Sequence, residues 1–220
     1  MSMRLKALTP GGAPVAHTRL YLVRHGQVAD GHTQLYHGHN DIDLSPAGVR
    51  QLEALGAQLQ GVDLAAVYAS DLSRSIRGAE AVCRGRSLSP QVIPEFREIN
   101  FGVWEGLSFG EIADRYPEAL QARFQDLCCY RIPGGESLMD VRERAMPRLQ
   151  EILTEHLGSA CLLVAHAGVN RVILCEALGL PMDNIFRLDQ NYGCLNIIDY
   201  FADFTLVRLM NGGPNGIAVG

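Results

Sequence analysis

Arg19-Leu20-Tyr21-Leu22-Val23-Arg24-His25-Gly26 is the stretch on which the fold turns. A short apolar run that ends on arginine, histidine and glycine reads as a buried strand delivering Arg24 and His25 at its carboxyl end. The pattern returns at Cys161-Leu162-Leu163-Val164-Ala165-His166-Ala167-Gly168. Working outward from the first copy, Ser45 suits an N-cap and Pro46 the first helical position, and Val49, Leu52, Leu55 and Leu59 repeat at helical spacing up to Gly61. Residues 65–69 then read as a second strand, with Ser70 or Asp71 capping a helix to about Arg84, and Val92-Ile93 as a third short strand. Strands alternating with helices predict an α/β fold, a three-layer sandwich on a mostly parallel central sheet.

The second copy is flanked in the same way. Ser137 introduces a long helix over about 138–157 with a core face of Val141, Ala145, Leu149, Ile152 and Leu153, which Pro147 should bend. Residues 169–178 read as a helix ended by Gly179 and Pro181, and 195–200 and 204–209 as a late pair of strands. Residues 101–130 are less regular, with Ser108 and Glu111 at capping-box spacing. The expected organisation is a flexible leader over 1–18, one domain over 19–211 with a helical, cap-like insertion at about 100–135, and a flexible tail over 212–220.

Composition excludes several functions. Of 19 Lys and Arg residues only Lys6 is lysine, so a lysine Schiff base, a phosphate loop ending in Gly-Lys and a lysine-rich nucleic-acid surface all lack their essential residue. Any anion must be handled by arginine. With a net charge of -5 no nucleic-acid partner is expected. No apolar run approaches the roughly 18 residues needed to span a bilayer, so no membrane partner is expected and the protein reads as cytoplasmic. The six cysteines form no C-x-x-C pair and read as reduced and structural. An exposed late strand makes a homodimer and a monomer equally compatible with the sequence.

The chemistry should gather at the strand ends. Ligands of open α/β sheets bind outside the carboxyl ends of the strands, so His25 and His166 can face one site. Arg74, in the first turn of a helix, sits badly against the helix dipole unless an anion is bound there. Three carboxylates, Glu95, Glu98 and Glu105, lie close enough in sequence to share an acid role. His32, His37 and His39 cluster, but no cysteine or His-x-x-x-His spacing supports a metal site, and no metal is expected. Trp104, Phe101, Phe109 and Tyr130 are as compatible with a pocket as with a core.

These residues carry a family resemblance. Leu22-Val23-Arg24-His25-Gly26 resembles the Leu-x-Arg-His-Gly signature of the histidine phosphatase superfamily, which includes the phosphoglycerate mutases. The likeness continues through 43–48, 70–74, 98–106, 133–137 and 164–168, in order, over about residues 19–210. Tyr36-His37-Gly38-His39, residues 100–106 and 186–190 are most similar to the α-ribazole phosphatase branch. The resemblance implies a phosphoglycerate mutase-like fold and a metal-independent phosphomonoesterase without a cofactor. His25 would become a phosphohistidine, with Arg24, Arg74 and His166 around the phosphate and Glu98 as general acid. Gln27, His37, Gly38, Ala167 and Gly168 would touch a small phosphorylated metabolite, α-ribazole 5′-phosphate of cobalamin assembly foremost. A phosphoglycerate mutase, a broad sugar phosphate phosphatase and a non-catalytic phosphate-binding module are the alternatives. Val28, Gly31 and Gly78 depart from the family pattern, where Thr or Ser, Asn and Thr are common.

Overall fold

The computed structural model describes residues 15–31 and 35–213. The expected leader up to residue 14, the tail from residue 214 and His32 lie outside the described residues. Twelve regular elements follow in chain order: β1 (Thr18–Arg24), α1 (Pro46–Gln58), β2 (Ala66–Ala69), α2 (Ser73–Cys83), β3 (Gln91–Val92), α3 (Phe109–Arg115), α4 (Pro117–Gln125), α5 (Leu138–Glu155), β4 (Ala160–Ala165), α6 (Ala167–Leu178), β5 (Leu195–Tyr200) and β6 (Thr205–Gly212).

The strands form one sheet in the order β3-β2-β4-β1-β5-β6. Neighbours from β3 to β1 are parallel, whereas β5 pairs antiparallel with both β1 and β6, so β5 alone runs against the rest. Both faces are covered. Leu20 and Leu22 of β1 pack with Val141, Leu149 and Val172 of α5 and α6, while Tyr21 and Val23 pack with Leu52, Leu55 and Val82 of α1 and α2. The period-2 alternation of a strand divides one continuous apolar run between two helical layers.

Several boundaries differ from the sequence reading, each for a local reason. The leader was expected to reach residue 18, yet Thr18 is buried and opens β1, its hydroxyl donating to the Leu153 carbonyl at 2.6 Å. Neither Ser70 nor Asp71 caps α2. Its N-cap is Leu72 without a side-chain bond, because Ser70 turns to His166 and Asp71 to Arg97. Helix α6 starts at Ala167, with His166 itself at the N-cap. α5 continues through Pro147 to Glu155.

Residues 101–132 form their own small layer. A 3-10 turn (Gly102–Trp104), α3 and α4 enclose Trp104, Ile112 and Ile132, with Tyr36, Phe101 and Leu120 packed against them. Helix α3 carries the expected capping box between Ser108 and Glu111. At Gly78 a Cβ would stand 3.0 Å from Val164 and 3.1 Å from Leu52, so any side chain there would need those two to give by a few tenths of an ångström.

Candidate active site

Arg24 of β1 pairs in register with Ala165 of β4, so the next residues, His25 and His166, leave the sheet side by side. Their ring centroids are 5.1 Å apart. Both are buried. The His25 Nδ1 lies 2.8 Å from the Gly26 carbonyl oxygen, which can only accept, so Nδ1 carries the proton and Nε2 keeps a free lone pair. His166 has the opposite arrangement of partners. Its Nε2 lies 2.6 Å from the Ser70 hydroxyl, and its Nδ1 is buried without a partner. Burial, followed by the charges of Arg74 and Arg24, pushes His25 well below the ordinary imidazole pKa, and burial and Arg74 do the same to His166. Both rings are therefore neutral at pH 7.

Two guanidinium groups stand beside them without a counter-ion. Arg74 is almost wholly buried, with Nη1 donating to the Asn40 carbonyl at 2.8 Å and Nη2 to the Gly38 carbonyl at 2.7 Å. Arg24 donates to the Gln190 carbonyl at 2.5 Å, and its guanidinium carbon stands over Tyr192, 3.9 Å from the ring centroid. Among the described residues neither forms an ion pair. The Nε atoms of both arginines and Nδ1 of His166 are buried and unpartnered. Buried polar groups are normally satisfied, so three such donors around His25 fit an external group rich in acceptor oxygens.

A cavity of about 560 Å³ opens over these atoms. Arg24, His25, His37, Arg74, Glu98, Ala167 and Gly168 line it, which brings together seven of the ten expected site residues. His166 sits behind His25, buried at the α6 N-cap. Gln27 and Gly38 do not line the cavity. The Gln27 side chain accepts from Ser45 at 3.2 Å, turned toward the start of α1, and Gly38 presents its backbone to Arg74 and Glu105 instead.

The three candidate carboxylates separate. Both oxygens of Glu98 accept from the Gly168 amide at 3.0 Å, which holds the carboxyl group on the cavity wall at the start of α6. A Cβ at Gly168 would stand 2.3 Å from Glu98 Oε1, so only glycine permits this approach. Glu105 is consumed by the backbone amides of Gly38, His39, Asn40 and Phe101. Glu95 is exposed away from the cavity.

The upper wall is apolar. Phe101, Trp104 and Phe109 line it as the sequence allowed, together with Tyr36, Leu120, Phe124, Leu127, Ile185, Phe186 and Tyr192, while Tyr130 packs behind them. Arg123 and Arg171 also reach this wall. Sequence reasoning missed Ser70 as the partner of His166, as well as Tyr192, Arg123 and Arg171. Among the described residues no group of three His, Cys, Asp or Glu side chains could hold a metal ion, and no helix is long and apolar enough to cross a membrane.

Comparison with known proteins gives the family. The chain is 32% identical over 205 residues to an adenosylcobalamin/alpha-ribazole phosphatase of Escherichia coli, covering 90% of this chain and 98% of that one. It is 30% identical over 180 residues to phosphoserine phosphatase 1 of Hydrogenobacter thermophilus, covering 81% and 82%. The crystal structure of a putative alpha-ribazole-5'-P phosphatase from Escherichia coli superposes with a TM-score of 0.82 at 29% identity, covering 91% of this chain and 98% of that one. Against a bifunctional protein of Mycobacterium tuberculosis, 34% identical over 207 residues, the chain spans 57% of the relative's length. Residues 20–212 match the histidine phosphatase superfamily (branch 1), and the chain belongs to this superfamily.

Proposed function

We propose that the chain is a metal-independent phosphomonoesterase that works through a phosphohistidine on a small phosphorylated metabolite. The observation that carries this reading is the set of unpartnered donors around a neutral His25 whose free Nε2 faces no competing proton. A phosphate monoester brings about two negative charges and three acceptor oxygens, which Arg24, Arg74 and His166 Nδ1 can bind.

In the first step His25 Nε2 attacks phosphorus and the ester P–O bond breaks. Glu98 gives its proton to the departing oxygen, which then leaves as a neutral alcohol. In the second step Glu98 takes a proton from water, the water oxygen attacks phosphorus, and the P–N bond breaks to restore neutral His25. Arg24 and Arg74 hold the same charges throughout, and a single well-placed arginine contributes roughly 1000-fold or more to such transfers. Residues 101–132 act as a cap that shields the leaving group from water. The relatives' names offer two leaving groups: α-ribazole, which the sequence likeness favours, and serine, released from a phosphorylated amino acid.

The test is to incubate the protein with a 32P-labelled ester and trap the intermediate. Acid-labile label on the wild type and none on His25→Ala supports the mechanism, whereas phosphate release undiminished in His25→Ala refutes it. Isomerised phosphoglycerate without net phosphate release would show a mutase instead.

A further inference from the structure

The cavity wall above the phosphate site holds more positive charge than one phosphate uses. Four arginines line the cavity, against a single carboxylate, Glu98. Arg24 and Arg74 lie at its floor, beside the two histidines. Arg123, on α4, is 7% exposed, and its Nη1 donates to the Leu127 and Tyr130 carbonyls. Its Nε and Nη2 have no partner among the described residues, and neither is sealed inside protein. Arg171, on α6, donates through Nε to the Leu188 carbonyl at 2.7 Å and stands over the Phe186 ring at 5.6 Å from its centroid, while its two Nη atoms have no hydrogen-bond partner among the described residues. Neither is within ion-pair distance of a carboxylate among the described residues, although half-buried arginines elsewhere find one, as Arg144 does with Glu136 at 2.9 Å and Arg19 with Asp199 at 2.7 Å.

Arg86 shows what a purely structural, unpaired arginine looks like here. Its three nitrogens each donate to a backbone carbonyl, of Val82, Val62 and Leu59, and nothing is left over. Arg123 and Arg171 differ because part of each guanidinium faces the cavity unspent. Keeping a cation in a poorly solvated site without a counter-ion is costly, and an arriving anion removes that cost.

We infer that Arg123 and Arg171 form a second anion subsite, so that the preferred leaving group itself carries a carboxylate or a second phosphoryl group. This rests on the phosphatase reading above and narrows its substrate class. A phosphorylated acid or a bisphosphate, seated with one phosphoryl group on Arg24 and Arg74, projects its other charge toward the cap. The aromatic wall then closes around the carbon skeleton. A neutral nucleoside leaving group would fill the apolar wall and leave both cations unpaired.

Two matched pairs of esters test this. 3-Phosphoglycerate and glycerol 1-phosphate differ in a carboxylate against a hydroxymethyl group, and fructose 1,6-bisphosphate and fructose 6-phosphate in a second phosphoryl group. The wild type is expected to favour the charged member of at least one pair by roughly 10- to 100-fold in kcat/KM, the range of one or two charged hydrogen bonds. The favoured pair identifies the anion. Arg123→Met and Arg171→Met should each cut that ratio at least about fivefold while turnover of the neutral member stays within about threefold, which also reports that the variant folds. A wild-type ratio near one in both pairs, or a preference that survives both substitutions, overturns the subsite and leaves the phosphatase reading standing. No phosphate from any of the esters, together with no label on His25, overturns both.

Discussion

Removing the Ser70 hydroxyl should disable His166 without touching the substrate. Ser70 and His166 are both fully buried, with Oγ 2.6 Å from Nε2. The hydroxyl has one hydrogen, and its oxygen already faces the Leu72 amide at 3.4 Å as acceptor. Among the described residues Nε2 is the acceptor within reach of that hydrogen, and the bond places the ring proton on Nδ1, the atom without a partner. Held in this tautomer, neutral His166 would have Nδ1–H to offer a phosphate oxygen in the proposed mechanism. In Ser70→Ala the ring loses this constraint, and the tautomer with a bare Nδ1 would point a lone pair at a negative oxygen. Loss of a buried hydrogen bond with one partner stranded costs about 1–3 kcal/mol, which corresponds to roughly 5- to 150-fold in kcat/KM. Steady-state hydrolysis of p-nitrophenyl phosphate between pH 5 and 8 reads it out. Ser70→Ala should lose activity mainly in kcat, with a changed acid limb, and Ser70→Thr, which keeps the hydroxyl, should recover most of it. An Ala variant within twofold of wild type, or a Thr variant as impaired as Ala, would refute the tautomer argument.

Other perturbations follow from the same geometry. Arg74→Lys cannot hold the Asn40 and Gly38 carbonyls and also reach the phosphate, so kcat/KM should fall at least about 1000-fold, measured on any accepted ester. Gly168→Ala drives a methyl group into Glu98 Oε1, and displacing a catalytic group by about 1 Å costs roughly 100-fold, so kcat should fall while KM stays within about threefold. Stability should also depend on pH through His25 and His166, whose folded pKa values lie below the ordinary 6.5. The unfolded chain then binds protons that the folded one refuses, so their contribution is fully present above pH 6.5 and is lost as pH falls below it. The loss reaches about 1.4 kcal/mol per pH unit for each ring. Urea midpoints from pH 7 to 5 should show it, and His25→Gln should make the slope shallower.

The placement of Arg24, His25 and His166 side by side was readable because it rests on chain order. A strand-end histidine needs only an apolar run before it and a glycine after it, and β1 and β4 supply both, placed side by side by their register. Arg74 was readable from its place at a helix start. Gln27 was misplaced because a motif position does not say which way a side chain turns, and Ser45 claims it. Ser70 looked like a helix cap because serine before a helix usually is one. Arg123, Arg171 and Tyr192 gave no signal. Their roles come from how α4, α6 and the loop before β5 fold over the sheet, and one arginine among eighteen carries no mark of its neighbours.

The Glu105 carboxylate has a consequence of its own. By accepting the amides of Gly38, His39, Asn40 and Phe101 it fastens the foot of the cap to the loop whose carbonyls grip Arg74. Backbone hydrogen bonds between Tyr36 and the cap residues Gly106 and Leu107 reinforce this anchor, and α3 and α4 sit on the far side of that knot. Substitutions among the outer aromatics and arginines can then retune which alcohol departs while the phosphate grip stays in place. Divergence within such a lineage should therefore concentrate in the cap, and grafting a relative's cap onto this chain between Glu105 and Ser137 should transfer leaving-group preference with turnover intact.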